Sequence, residues 1–151
     1  MKTDLVVAGF IFNKDKVILI HHKKLGLWLP VGGHINENET PDDALLREIK
    51  EETNLDINIL GNNNINLEGN VKKNLAAPFH ANVHSVGDHD HCCFFYLCKA
   101  LNPEKLKINN ELDGFKWVSM NELESKEIPA DVRNIGMRAF EILGKVNNSS
   151  Q

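Results

Sequence analysis

Glu48, Glu51 and Glu52 stand at spacings i, i+3 and i+4 in an acidic, helix-forming stretch, GHINENETPDDALLREIKEETNL, that runs from Gly33 to Leu55. That spacing puts three carboxylates on one face of a helix. Left unneutralised they repel one another and cost helix stability, so the face reads as a holder for a divalent cation such as Mg²⁺, whose preferred ligands are oxygens. A cluster of this kind suggests metal-assisted phosphate chemistry. Arg47, adjacent to Glu48 and four residues before Glu51, is placed to pair with a glutamate and fix its rotamer.

Those side chains need a helix with defined ends and a cleft to face. Thr40 is a good N-cap, Pro41 suits the first helical position, and Asp43 completes a start resembling a capping box, so a helix is expected over residues 41–53. Ala44, Leu45 and Ile49 give it an apolar stripe, which turns the glutamates toward a cleft. Ahead of it, residues 3–12 and 16–22 read as a β-hairpin about the turn Asn13-Lys14-Asp15. Residues 23–28 read as a loop leading into Leu29 to Val31, and Gly32-Gly33 as a tight turn beside a ligand. Further strands are expected at residues 55–60, 92–100 and 115–118, with an asparagine-rich loop over 61–74 and a turn at Asn102-Pro103. Ser119 can cap a short helical turn through Leu123. Pro129 opens a last helix in which Val132, Ile135, Ala139, Phe140 and Leu143 recur at helical spacing, with Gly144 placed to end it and residues 145–151 as a frayed tail. Strands around two well-separated helices argue for an α/β class, an α/β/α sandwich with a mixed sheet.

At 151 residues the chain is expected to form one domain over residues 1–151, large enough for a core without staples. Three cysteines with no CxxC pair fit a reducing compartment, and the apolar start, Leu5 to Phe12, is too short to span a membrane, so a cytoplasmic location is expected. Net charge is -4, yet residues 37–52 alone hold seven acids against Arg47 and Lys50, which leaves the rest of the chain close to neutral. With no basic excess for a nucleic-acid backbone, the expected partner is a small phosphorylated molecule bridged to the carboxylates by metal ions. A homodimer is left open.

Written as a pattern, the stretch is G-x5-E-x7-R-E-U-x-E-E-x-G-U, with U aliphatic, carried by Gly33, Glu39, Arg47, Glu48, Ile49, Glu51, Glu52 and Leu55. It closely resembles the Nudix box. Asn54 stands where the family has glycine; Asn enters the left-handed conformation past a helix end more readily than other side chains, so the box reads as intact. Leu29 to His34 resembles the family's approach to the box, and Glu111 to Val118 its later acidic strand. The resemblance implies a Nudix-like fold and a hydrolase of nucleoside diphosphates linked to a moiety X, or of nucleoside triphosphates, using Mg²⁺ or Mn²⁺. It implies Glu51 and Glu52 as chief metal ligands, Glu48 as a further ligand or the base that orients water, Gly32 as a backbone carbonyl ligand, and Glu111 as a remote acid. The proline typical of the ADP-ribose branch is absent at Asn70-Val71, and the tyrosine of the diadenosine polyphosphate branch has no counterpart nearby, the sole tyrosine being Tyr96. A catalytically silent nucleotide sensor and a prenyl-diphosphate isomerase using Cys92 or Cys93 are the alternatives.

His80, His84, His89, His91, Cys92, Cys93 and Cys98 form a second set of metal-ligand residue types. Their spacing is not that of a finger or ribbon, and the cysteines lie in an apolar strand, so the set reads as structural rather than as a zinc site. His89 and His91 alternate at a strand entrance and share a face that could meet substrate phosphates. Trp28, Phe79 and Trp117 are expected to pack rather than to stack on a base.

Overall fold

The strand over Thr3–Asn13 is apolar on both faces, because it lies at the centre of the sheet with a helix against each side. In the computed structural model, which describes residues 1–61 and 65–149 without the side chains of 148 and 149, it is β1. The elements that follow are β2 Lys16–His22, β3 Leu27–Leu29, β4 Val31–His34, α1 Pro41–Thr53, β5 Ile57–Ile59, β6 His80–Ser85, β7 Asp90–Ala100, β8 Leu112–Val118 and α2 Ala130–Ser149. On one face Val6, Ala8, Phe10 and Phe12 pack against Val132, Ile135 and Ala139 of α2. On the other, Val7 and Ile11 pack against Ala44, Leu45 and Ile49 of α1. This period-two division of one strand between two cores makes the α/β/α sandwich.

The sheet is mixed. β1 runs parallel to β7 over Thr3–Phe12 and Asp90–Lys99, and the other pairings are antiparallel. The free edge of β1 is shared: Phe12 and Asn13 pair with β2, whereas Val6 to Gly9 pair with β4. β2 then diverges to carry β3 and β8, and the far edge of β7 is likewise divided between β6 and β5. The divergence opens a gap beside β4.

Several expectations change. Gly32 and Gly33 do not form a turn: they lie in β4, opposite Ala8 and Val7. Their missing side chains serve close approach, since a Cβ on Gly32 would run into the Val7 carbonyl oxygen and one on Gly33 into the Glu48 carboxyl. Trp28, read as loop, belongs to β3, paired to His21. β6 is a strand the sequence does not announce, because HANVHS is a polar edge strand that buries no residue fully. Gly144 lies inside α2 rather than ending it: Ile142 and Leu143 still pack on the core, and the helix continues to Ser149. The expected tail is therefore helical over 145–149, and residues 150–151 lie outside the described residues, as do 62–64 of the asparagine-rich loop. Residues 65–74 of that loop carry no helix or strand. The turn after Ser119 is a 3-10 helix, Glu122–Glu124, capped by reciprocal bonds between Ser119 and Glu122. No described helix is long and apolar enough to cross a membrane.

Candidate active site

The ends of α1 set the rotation of the glutamate face. Thr40 Oγ1 accepts from the Asp43 N–H at 3.1 Å, with Pro41 in the first helical position. At the other end Asn54 is left-handed, φ 62°; its N–H donates to the Lys50 carbonyl at 3.0 Å and its Nδ2 to the Lys105 carbonyl at 3.0 Å. The segment before β8 is tied to the same end, Asn109 N–H donating to the Glu52 carbonyl at 3.1 Å and Lys107 N–H to the Thr53 carbonyl at 2.9 Å. These bonds bring Glu111 into the cleft that α1 and β4 line.

That cleft has a volume of about 720 Å³, and its walls include Gly32, Gly33, Glu48, Glu51, Glu52 and Glu111. All the sequence-predicted ligand residues thus share one cavity. Arg47 is the cation that organises them. Its Nε and Nη2 form a fork on Glu39 at 2.8 and 2.9 Å, Nη1 donates to Glu48 at 2.8 Å, and Nη2 also reaches the His34 carbonyl at 2.9 Å. Glu51 lies 3.5 Å from Nη1. A bidentate pair of this kind fixes direction as well as distance. Glu39 accepts a further bond from the Asn36 N–H at 3.0 Å, and the Arg47 fork with that bond holds its carboxyl at about 2. The sequence pattern contains Glu39, but only the fold shows that it is the anchor of Arg47.

The helix face is not uniformly exposed. Glu51 is half exposed, whereas Glu52 is 6% exposed and, among the described residues, pairs with no cation. Burial first, then the charge of Glu48 and of Glu111, pushes its carboxyl up to about 8. A buried carboxyl crowded by other acids is a place where a divalent ion would relieve both desolvation and repulsion. The donors present, carboxylates and backbone carbonyls, are all hard oxygens and fit Mg²⁺ or Mn²⁺.

The other predicted residues separate. Cys93 and Cys98 are buried hydrophobes whose thiols burial pushes up, Cys93 to about 12. Trp28 packs on His21 beneath Lys116 Nζ, Phe79 meets Phe10 edge-on at 6.0 Å, and Trp117 joins the core on the α1 side. None of the three aromatics lines the cleft. Tyr96 is buried on the α1 side. His80 lies against Phe95, while His84 and His91 line the cleft. His89 joins His91 at 3.2 Å, together with two residues the sequence did not group with them, Asp4 and His34.

Comparison with known proteins places these features in context. A family model described as NUDIX domain matches residues 2–138. The crystal structure of a hydrolase of the NUDIX family from Clostridium perfringens superposes with a TM-score of 0.83 at 31% identity, covering 95% of this chain and 99% of that one. An 8-oxo-dGTP diphosphatase of Proteus vulgaris is 39% identical over 57 residues, 34% of this chain and 51% of that protein. An RNA pyrophosphohydrolase of Hydrogenovibrio crunogenus is 33% identical over 96 residues, 59% of this chain and 56% of that protein. The matches span about half the length of these two curated relatives.

Proposed function

From the premise that the chain belongs to the Nudix family, we propose that it is a metal-dependent hydrolase that cleaves a phosphoanhydride bond in a nucleoside diphosphate linked to a further moiety or in a nucleoside triphosphate. The observation that carries this reading is the buried Glu52 carboxyl, surrounded by Glu48, Glu51 and Glu111 on the wall of a cleft large enough for a nucleotide. Glu51 and Glu52 are the chief ligands of Mg²⁺ or Mn²⁺ in this reading, with Glu48, Glu111 and the Gly32 carbonyl completing the set. When bound, such ions neutralise phosphate oxygens and acidify water. Glu48 is held against Gly33 by Arg47, which orients its carboxylate to ligate or to direct the attacking water. Arg47 is a positioning residue, itself anchored by Glu39.

The name of one curated relative, 8-oxo-dGTP diphosphatase, supports a nucleotide substrate, and that of the other, RNA pyrophosphohydrolase, supports pyrophosphate chemistry. The three free cysteines support a reducing, cytoplasmic setting. Against an isomerase, the only cysteine on the cleft wall is Cys93, among the described residues, and burial keeps its thiol protonated.

A panel of nucleoside triphosphates and nucleoside diphosphate conjugates, assayed with and without Mg²⁺ or Mn²⁺, tests the proposal. Metal-dependent release of a phosphorylated product is expected. Tight nucleotide binding without turnover would replace it with a sensing role, and an allylic product from a prenyl diphosphate would replace it with isomerisation.

A further inference from the structure

Four side chains that the chain keeps far apart converge at the start of the parallel strand pair. Asp4 of β1 lies opposite His91 of β7, His34 at the end of β4 lies opposite Val6, two residues from Asp4 on the same face, and His89 precedes His91 by two. One ligand atom from each of Asp4, His34, His89 and His91 lies within 4.8 Å of every other. Three of the separations are tighter: His34 Nε2 to Asp4 Oδ2 is 3.2 Å, His89 Nε2 to Asp4 Oδ2 is 3.5 Å, and His89 Nε2 to His91 Nε2 is 3.2 Å.

A tetrahedral zinc with nitrogen and oxygen ligands near 2.0–2.1 Å sets its ligand atoms roughly 3.3–3.4 Å apart, close to the three shorter separations, and the whole set lies within 4.8 Å. His91 is packed ring to ring against His34, His84 and His89, at centroid distances of 5.3, 5.5 and 5.0 Å. A second observation points the same way. His89 Nδ1 lies 2.7 Å from the Asp88 carboxylate, on the side of the ring away from Nε2, which faces Asp4 and His91. A carboxylate behind the ligating imidazole is the usual support of a metal-bound histidine.

We propose that Asp4, His34, His89 and His91 bind one zinc-class divalent ion in a closed, structural site, separate from the carboxylate site of α1. Three imidazoles and one carboxylate favour zinc, cobalt or nickel over magnesium, whose ligands are oxygens. The ion ties the start of β1 to the end of β4 and to the entrance of β7. It sits beside the proposed active cleft, since His34 and His91 line that cleft, but uses none of the box carboxylates.

The test is metal uptake by protein purified without a metal-binding tag and stripped with chelator. Zinc is titrated with Mg²⁺ in excess, and Co²⁺ serves as the spectroscopic probe of coordination. One zinc per chain, a tetrahedral cobalt spectrum and a zinc-dependent rise in Tm are expected. His91→Ala and, in the more exposed turn, His89→Ala should each weaken zinc binding by about 100-fold or more and abolish the Tm shift, whereas Glu52→Gln and His80→Ala should retain both. Failure of the wild-type protein to take up zinc or cobalt would overturn the proposal. So would uptake that survives both His89→Ala and His91→Ala, or that is lost in Glu52→Gln, which would assign the ion to the carboxylates. None of these readouts depends on hydrolysis, so the two sites fail or stand separately.

Discussion

Gly33 lies against the carboxyl group of Glu48, so closely that a Cβ at Gly33 would stand 2.5 Å from each carboxylate oxygen. The obstacle is the far end of a flexible side chain, which can swing aside, but then no longer occupies its place beside Arg47. Gly33→Ala should therefore lower kcat/KM by about 10- to 100-fold while leaving Tm nearly unchanged. Gly32→Ala meets backbone instead, with Ala8 Cα 2.8 Å from the new Cβ, and should lower Tm. Steady-state kinetics and thermal melts of the two variants, side by side, check the distinction.

Glu52→Gln removes the charge of a proposed ligand from the most crowded position without changing its shape. Turnover should fall by about 100-fold or more. Because the carboxyl is buried among other acids, the metal-free variant should melt at the same temperature as the parent or above it. Addition of Mg²⁺ should raise the Tm of the parent more than that of the variant. Near-parental turnover in Glu52→Gln would remove this residue from the ligand set.

The Arg47 fork gives the protein an acid-sensitive joint. Glu39 has an ordinary value of 4.5 and is held at about 2 in the folded chain, so the unfolded chain takes up its proton first as pH falls. The stability contributed is complete above 4.5 and is lost progressively as pH falls toward 2. Melts of the parent and Glu39→Gln over that range should show a stability gap that closes on acidification. At neutral pH Glu39→Gln should also reduce activity, through the loosened Arg47.

Asn54 tests the departure from the box glycine. Asn54→Ala keeps a Cβ in the left-handed region but loses the side-chain amide that makes the conformation accessible to Asn, and with it the bond to the Lys105 carbonyl, so it should cost about 1 kcal/mol. Asn54→Gly loses the same bond but gains conformational ease, so its stability should lie close to the parent's. Urea denaturation measures both, and catalytic rates of the folded variants should match the parent.

The local signals of the chain were legible before its folding. Thr40, Pro41 and Asn54 mark the ends of α1 because caps are written in neighbouring residues, and the Glu48, Glu51, Glu52 face follows from the helical period. What the sequence hid depends on distant partners. Helical spacing puts Glu52 on a face but does not give its depth, which is set by the segment carrying Asn109 and by Glu48. Gly32-Gly33 carries a turn signal that the ladder to β1 overrides. The histidines read as scattered because the parallel pairing of β1 with β7, a contact between segments far apart in the chain, is what gathers Asp4 to His91.

In β4, Gly33 faces Val7 and Gly32 faces Ala8, with His34 next along. Since neighbouring positions point to opposite faces, a slip of one residue along β1 would exchange the seat beneath Glu48 for a different side chain and turn His34 away from Asp4. Alignment of this short strand is thus a single adjustment shared by both proposed ion-binding centres, and an error in it would silence the two together while most of the sheet stayed whole.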